Sequence, residues 1–150
     1  MRLPRCALLM LLLAGGISPL QAQTAPASGG PVDPAAMQDL VLANRVLTDL
    51  NVIDGFGHVS MRHPSNPNRY LMGRSVAPAL VVADDIVEYD LDSNPVDAKG
   101  RASFNERFIH GEIYKARPDV MAVVHTCYLV HCSQDLAYVC PTTFSLLFST

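Results

Sequence analysis

Residues 103–127 read SFNERFIHGEIYKARPDVMAVVHTC. Ser103 and Glu106 have the spacing of a capping box, with the serine bonding the backbone at Glu106 and the carboxylate reaching back. The pattern predicts a helix from Ser103 to about Lys115. Arg117-Pro118-Asp119 ends it, because proline disfavours helix at the residue before it. Val120 to Val124 is a continuous apolar run, predicted as a buried strand closed by His125. The layout brings a first-turn carboxylate and a strand-end imidazole together. Strand ends in α/β sheets border ligand crevices.

Upstream, Asp33-Pro34 supplies an N-cap followed by proline at the first helical position. Leu40, Ala43, Val46, Leu47 and Leu50 share one face, so 34–50 is predicted as a helix, with Asn51 ending it in a left-handed conformation. Gly57 to Arg62 alternates like a strand, with Val59 and Met61 on one face and His58 and Ser60 on the other. His63 to Asn68 is a turn, and Tyr70 to Met72 the return strand of a hairpin. Residues 76–82 fit either a loop or a strand. Ile86 to Leu91 is a strand candidate, followed by a turn at Asp92-Ser93-Asn94-Pro95. Helices and strands mix without a strict βαβ rhythm, so the fold class is α/β with a sheet that need not be parallel.

The chain has 150 residues and a formal net charge of −3, room for one domain. Arg2 and Arg5 precede an apolar run from Ala7 to Leu13, and Leu20-Gln21-Ala22 offers a cleavage point. This is a secretory signal pattern over 1–22, and the run is too short to span a bilayer. Export to the periplasm or medium is the expectation, with no membrane association after cleavage. No cluster of Lys and Arg suggests nucleic-acid binding. Residues 23–32 are expected to be a flexible leader, 33–126 the folded domain and 127–150 an atypical tail without clear periodicity. Cys127, Cys132 and Cys140 all lie in that tail. Three is an odd thiol count for an exported chain and points to a free thiol or an intermolecular pair.

Several residues carry candidate chemistry. Glu106 is a cap or an acid/base group. His110, one turn on, is more simply a hydrogen-bonded partner than a ligand. His125 and Cys127, two apart on one strand face, are possible metal ligands with Glu106 as the third, and His131 and Cys132 close by are alternative donors. A zinc site needs at least three protein ligands. Gly57, His58 and Ser60 form either a structural hairpin entry or a loop that holds an anionic substrate group.

With these residues in view, the chain resembles the class II aldolase/adducin N-terminal family over roughly 33–125. Gly57-His58-Val59-Ser60-Met61-Arg62 is similar to the family's G-[NH]-x-S-x-R loop. Arg74-Ser75-Val76-Ala77-Pro78 and Ala83-Asp84-Asp85-Ile86-Val87 look like its substrate loop and following strand. Glu106, Ile113-Tyr114, Arg117-Pro118-Asp119 and Ala122-Val123-Val124-His125 match its most specific pattern. The resemblance implies a three-layer α/β/α fold around a mostly antiparallel sheet, incomplete here at the C-terminus. It implies a zinc or other divalent ion held by three histidines, with His125 as the first, and Glu106 as acid/base residue close to the metal. It also implies substrate contacts from Gly57, His58, Ser60 and Ser75, a small-molecule substrate, and a homo-oligomer, commonly a tetramer.

The departures shape the functional expectation. Cys127 stands at the second histidine's position, and no counterpart of the third is evident before Thr150. Phe104-Asn105 replaces the Ser-Ser pair of phosphosugar aldolases, and His58 replaces the asparagine of their glycine loop. These changes point to the decarboxylase-like branch. The expectation is a metal-dependent lyase lineage, impaired in this chain, with a non-catalytic adducin-like interaction module as the alternative.

Overall fold

The computed structural model describes residues 24–127 and 143–149. The first helix, α1 (Pro34–Asp49), begins where the sequence predicts. The Asp33 carboxylate accepts from the Ala35 amide at 2.8 Å, and Pro34 occupies the first turn. Asn51 takes φ 54°, the left-handed conformation expected after the helix. The next four elements are β1 (His58–Arg62), β2 (Arg69–Gly73), β3 (Ile86–Asp90) and α2 (Arg107–Ala116). The strands β4 (Val120–Cys127) and β5 (Thr143–Ser149) complete the order. Residues 76–82, open between loop and strand in the sequence, contain a short 3-10 turn at Pro78–Leu80.

The five strands form one antiparallel sheet in the order β3-β2-β1-β4-β5. The two helices cover opposite faces. Val59, Leu71 and Val124 pack with Leu40 of α1 on one side, while Tyr70, Met72, Val87, Tyr89 and Val123 pack with Tyr114 of α2 on the other. This is the expected α/β/α layering, and it follows from period-two alternation along each strand. Asn44, buried in α1, bonds back to Leu40 O and accepts from the Val59 amide, which ties α1 to β1.

Three local expectations are corrected. The Ser103–Glu106 capping box does not form. The helix starts at Arg107, Glu106 is its N-cap with no side-chain cap bond, and the Ser103 hydroxyl instead pairs with Tyr89 OH at 2.7 Å. The long-range tyrosine partner wins over the local cap. The strand predicted to close at His125 runs on to Cys127. The tail, read as lacking strand character, supplies β5, which pairs with β4 from Val120↔Ser149 to Cys127↔Thr143. Leu146-Leu147-Phe148 interrupts apolar–polar alternation and hides the strand, but the open edge of β4 offers a full ladder of backbone groups to pair.

Residues 27–30 of the predicted leader are tied down. Ser28 Oγ and Gly29 N donate to Glu88, Arg69 donates to Ala27 O, and His63 contacts Gly30 O. The signal segment, His131, Cys132 and Cys140 lie outside the described residues, as does the Cys127 side chain. Among the described residues no helix is long and apolar enough to cross a membrane.

Candidate functional site

The β1–β4 register places His58 directly opposite His125. Both face α2, and their rings stack with centroids 4.7 Å apart and planes 13° from parallel. One turn into α2, His110 approaches the same pair: its Nε2 lies 3.0 Å from His58 Nδ1. On its other side His110 Nδ1 is 2.6 Å from Ser60 Oγ, and Ser60 Oγ is 2.8 Å from Tyr114 OH. Phe104, just ahead of α2, closes over His58 with ring centroids 4.5 Å apart. His58, Ser60, His110 and His125 are all buried.

Burial keeps these imidazoles neutral. Desolvation, reinforced by the neighbouring His125, pulls His58 from its ordinary 6.5 to about 3. Desolvation and the two other rings hold His110 well below 6.5. His125 is also lowered by desolvation, with the charges of Glu106 and Asp54 pulling the other way. Glu106 is thus within electrostatic range of His125 while remaining exposed to solvent. Among the described residues, two buried side-chain polar atoms lack a hydrogen-bond partner, His58 Nε2 and His125 Nδ1.

The glycine loop is organised differently from an anion cradle. The Gly57 amide and the Phe56 amide both donate to the Asp54 carboxylate. Gly57 itself is required by close packing: a Cβ there would sit 2.6 Å from Ile53 Cβ and 3.1 Å from His125 O. Ser60 points inward and is occupied by His110 and Tyr114. The loop's group left open is the His58 ring nitrogen. Ser75 is exposed, and its amide donates to Ala102 O, which joins the loop after β2 to the approach of α2. Arg62, the last residue of the motif, is structural. It is buried and donates to Val120 O, Tyr114 O, Arg117 O and Pro67 O, with its guanidinium over the Tyr114 ring.

The structure brings together His58, Ser60, His110 and His125 with Glu106 nearby. The ring pairing of His58 with His125 and the bridge through His110 and Tyr114 are not visible in the local sequence. The signals that bear on them are the same-face pair His58/Ser60 on a strand and the i, i+4 pair His110/Tyr114 on a helix.

The Class II Aldolase and Adducin N-terminal domain family matches residues 38–134, from α1 through β4 and beyond. The chain belongs to this family. The match extends past 125, where the sequence resemblance was expected to end. Decarboxylase tropJ of Talaromyces stipitatus is 41% identical over 90 residues, 59% of this chain and 32% of that protein. The 3,4-dihydroxyphthalate decarboxylase of Arthrobacter keyseri is 37% identical over 100 residues, 60% of this chain and 39% of that protein. Among solved structures, an aldolase II superfamily protein from Pseudomonas syringae superposes with a TM-score of 0.57 at 26% identity, covering 65% of this chain and 42% of its own. The chain therefore spans between about a third and two-fifths of the length of these two curated relatives.

The divalent metal implied by the family resemblance can be tested against the donors. His125 has an unpaired buried nitrogen and Glu106 is near it, but a protein zinc site needs three or more ligands. Among the described residues no group of three or more His, Cys, Asp and Glu side chains is placed to hold a metal. The described donors do not fit a closed site, and no step below passes through a metal.

Proposed function

We propose that this chain carries part of a carbon–carbon lyase site acting on a small carbonyl or hydroxy-acid substrate, with decarboxylation favoured over aldol cleavage. The observation that carries this is the pairing of an exposed, uncapped carboxylate with a buried histidine stack. Glu106 starts α2 without a cap bond and bears electrostatically on His125. The names of the two decarboxylase relatives support the choice of reaction. Loss of CO2 leaves the bond's electron pair on carbon, delocalised to an adjacent carbonyl oxygen. A proton must then reach that carbon. Glu106, open to solvent, takes up and hands over that proton, a role worth typically about 10²–10⁴-fold in rate. Gly57 and Ser60 shape the loop, His58 adds its unpaired ring nitrogen, and Ser75 joins the loop after β2 to Ala102 ahead of α2. Zinc or another divalent ion would need donors beyond the described side chains, Cys127 being the first candidate.

Glu106→Gln tests the assignment. Turnover of a hydroxy-acid that bears a carbonyl next to the carbon losing CO2, read as CO2 release, should fall by about 10²-fold or more. Melting should change by no more than about 0.5 kcal/mol, since the side chain is exposed and caps nothing. Unchanged turnover in this variant would remove Glu106 from the chemistry.

The internal satisfaction of Ser60 and His110 favours a second reading, a non-catalytic adducin-like interaction module. It requires no metal, so its melting temperature should ignore chelators, whereas the lyase should bind stoichiometric metal and lose it to EDTA. Export through residues 1–22 and a homo-oligomeric state belong to the proposal in either case. The N-terminal mass of the mature product and the sedimentation mass test them.

A further inference from the structure

We propose that Tyr114, Ser60 and His110 are positioning residues that fix His58 in its Nε2–H form, so that His58 offers a hydrogen, not a lone pair, to an oxygen of the substrate. The substrate part of this rests on the lyase function above. The tautomer part rests on the hydrogen-bond chain alone.

The chain runs Tyr114 OH, Ser60 Oγ, His110 Nδ1, His110 Nε2, His58 Nδ1, with links of 2.8, 2.6 and 3.0 Å. Each hydroxyl carries one hydrogen, and each neutral imidazole carries one N–H. The direction of one link therefore sets all the others. Among the described residues, Ser60 is the side chain hydrogen-bonded to the Tyr114 hydroxyl; the Val123 backbone also bonds to it, as a donor, and so offers no acceptor for the hydroxyl hydrogen. If Tyr114 donates to Ser60, Ser60 donates to His110 Nδ1. The His110 hydrogen then sits on Nε2 and points at His58 Nδ1, which places the His58 hydrogen on Nε2. That atom is buried and without a partner.

The reverse direction is worse by a simple count. Among the described residues it leaves the Tyr114 hydrogen with no acceptor in a buried position and a bare lone pair at His58 Nε2, against one gain, the His58 backbone as a further acceptor for an Nδ1–H. The forward direction leaves a single unpaired hydrogen at that end, and unpaired buried polar groups are the costly ones. His58 lies between Phe104 and His125, and Glu106 bears electrostatically on that same His125. A donor there suits a carbonyl or carboxylate oxygen taken out of water, and it does not suit a cation.

The test is ring-nitrogen NMR on the full chain labelled with ¹⁵N-histidine, with His58→Gln used to assign the signals. The expected spectrum shows a protonated Nε2 and a bare Nδ1 on His58. In Tyr114→Phe the Ser60 hydroxyl is free to turn either way, so both His58 tautomers should appear. Ser60→Ala should do the same, while Ser60→Thr, which keeps the hydroxyl, should retain the single form. A bare Nε2 in the unaltered chain overturns the proposal. So does a pure Nε2–H form in both Tyr114→Phe and Ser60→Ala. If Tyr114→Phe does not fold, the Ser60 pair decides. Glycolate then serves as the oxygen-bearing probe. It should shift the His58 Nε2–H resonance, and its affinity should fall at least tenfold in His58→Phe; no shift overturns the donor role. The tautomer needs no turnover to be read, so its failure is separable from loss of the lyase function, which Glu106→Gln reports.

Discussion

His58, His110 and His125 are three imidazoles packed into one buried cluster, and all three are held below their ordinary 6.5 by desolvation. In the unfolded chain they take up protons as pH falls through about 6.5, but in the fold they resist. The unfolded state then binds more protons, so stability is full above that point and declines as pH drops. For His58 the decline extends from 6.5 down to about 3. Each such histidine contributes a slope of up to about 1.4 kcal/mol per pH unit in its window. Urea unfolding at pH 8, 6 and 5 should therefore show little change at first and then a steep loss. A flat profile across pH 6.5 to 5 would mean that the cluster is open to solvent. At this scale the sequence was only half legible. Glu106 and His125 stand out by position, whereas the roles of Ser60 and Tyr114 depend on partners 50 and 54 residues away.

Among the elements, α2 depends most on a residue outside itself. Arg62 of β1 donates to Tyr114 O and Arg117 O at the end of that helix, to Val120 O at the start of β4, and to Pro67 O in the hairpin turn. The carbonyls that a helix terminus leaves unpaired are thus met by one guanidinium. Arg62→Met keeps much of the volume but removes the guanidinium donor from Tyr114 O and Val120 O, both on buried residues, while Arg117 O keeps the Val120 amide. Chemical denaturation should show a loss of about 3 kcal/mol or more. A loss below about 1 kcal/mol would show that water replaces the guanidinium. Helix α1 was legible in the sequence because its signals are local: Asp33 caps, Pro34 starts and Asn51 stops it. The start of α2 was misread because Ser103 has a stronger partner in Tyr89 than the local box provides. The alternation of His58, Val59, Ser60 and Met61 gave the correct faces, since strand periodicity needs no knowledge of the partner strand.

For the molecule as a whole, β5 is the edge strand that covers β4, the strand carrying His125. Its seven residues pair along nearly the full length of β4. Removing residues 143–150 would expose that ladder as a long edge, a template for association. The shortened chain should sediment as heterogeneous aggregates or lose its cooperative melt. A well-behaved species with the melting point of the full chain would show β5 to be dispensable. The three-layer arrangement itself was legible through the family resemblance, and the sequence signals for its two helices and first four strands agree with it. The fifth strand was not, because its apolar residues are clustered and its register comes from β4.

The His58↔His125 pairing also has a kinetic meaning. These partners are separated by the whole of β2, β3 and α2, whereas β1–β2 and β2–β3 are sequence neighbours. Long-range pairings wait on loop closure, and local hairpins do not. The three-stranded meander can assemble while β4 is still free, and the histidine stack is completed only when β4 docks. The candidate site is therefore a late event on the folding path. Any factor that slows β4 docking would leave a chain with most of its sheet formed and its histidines still in water.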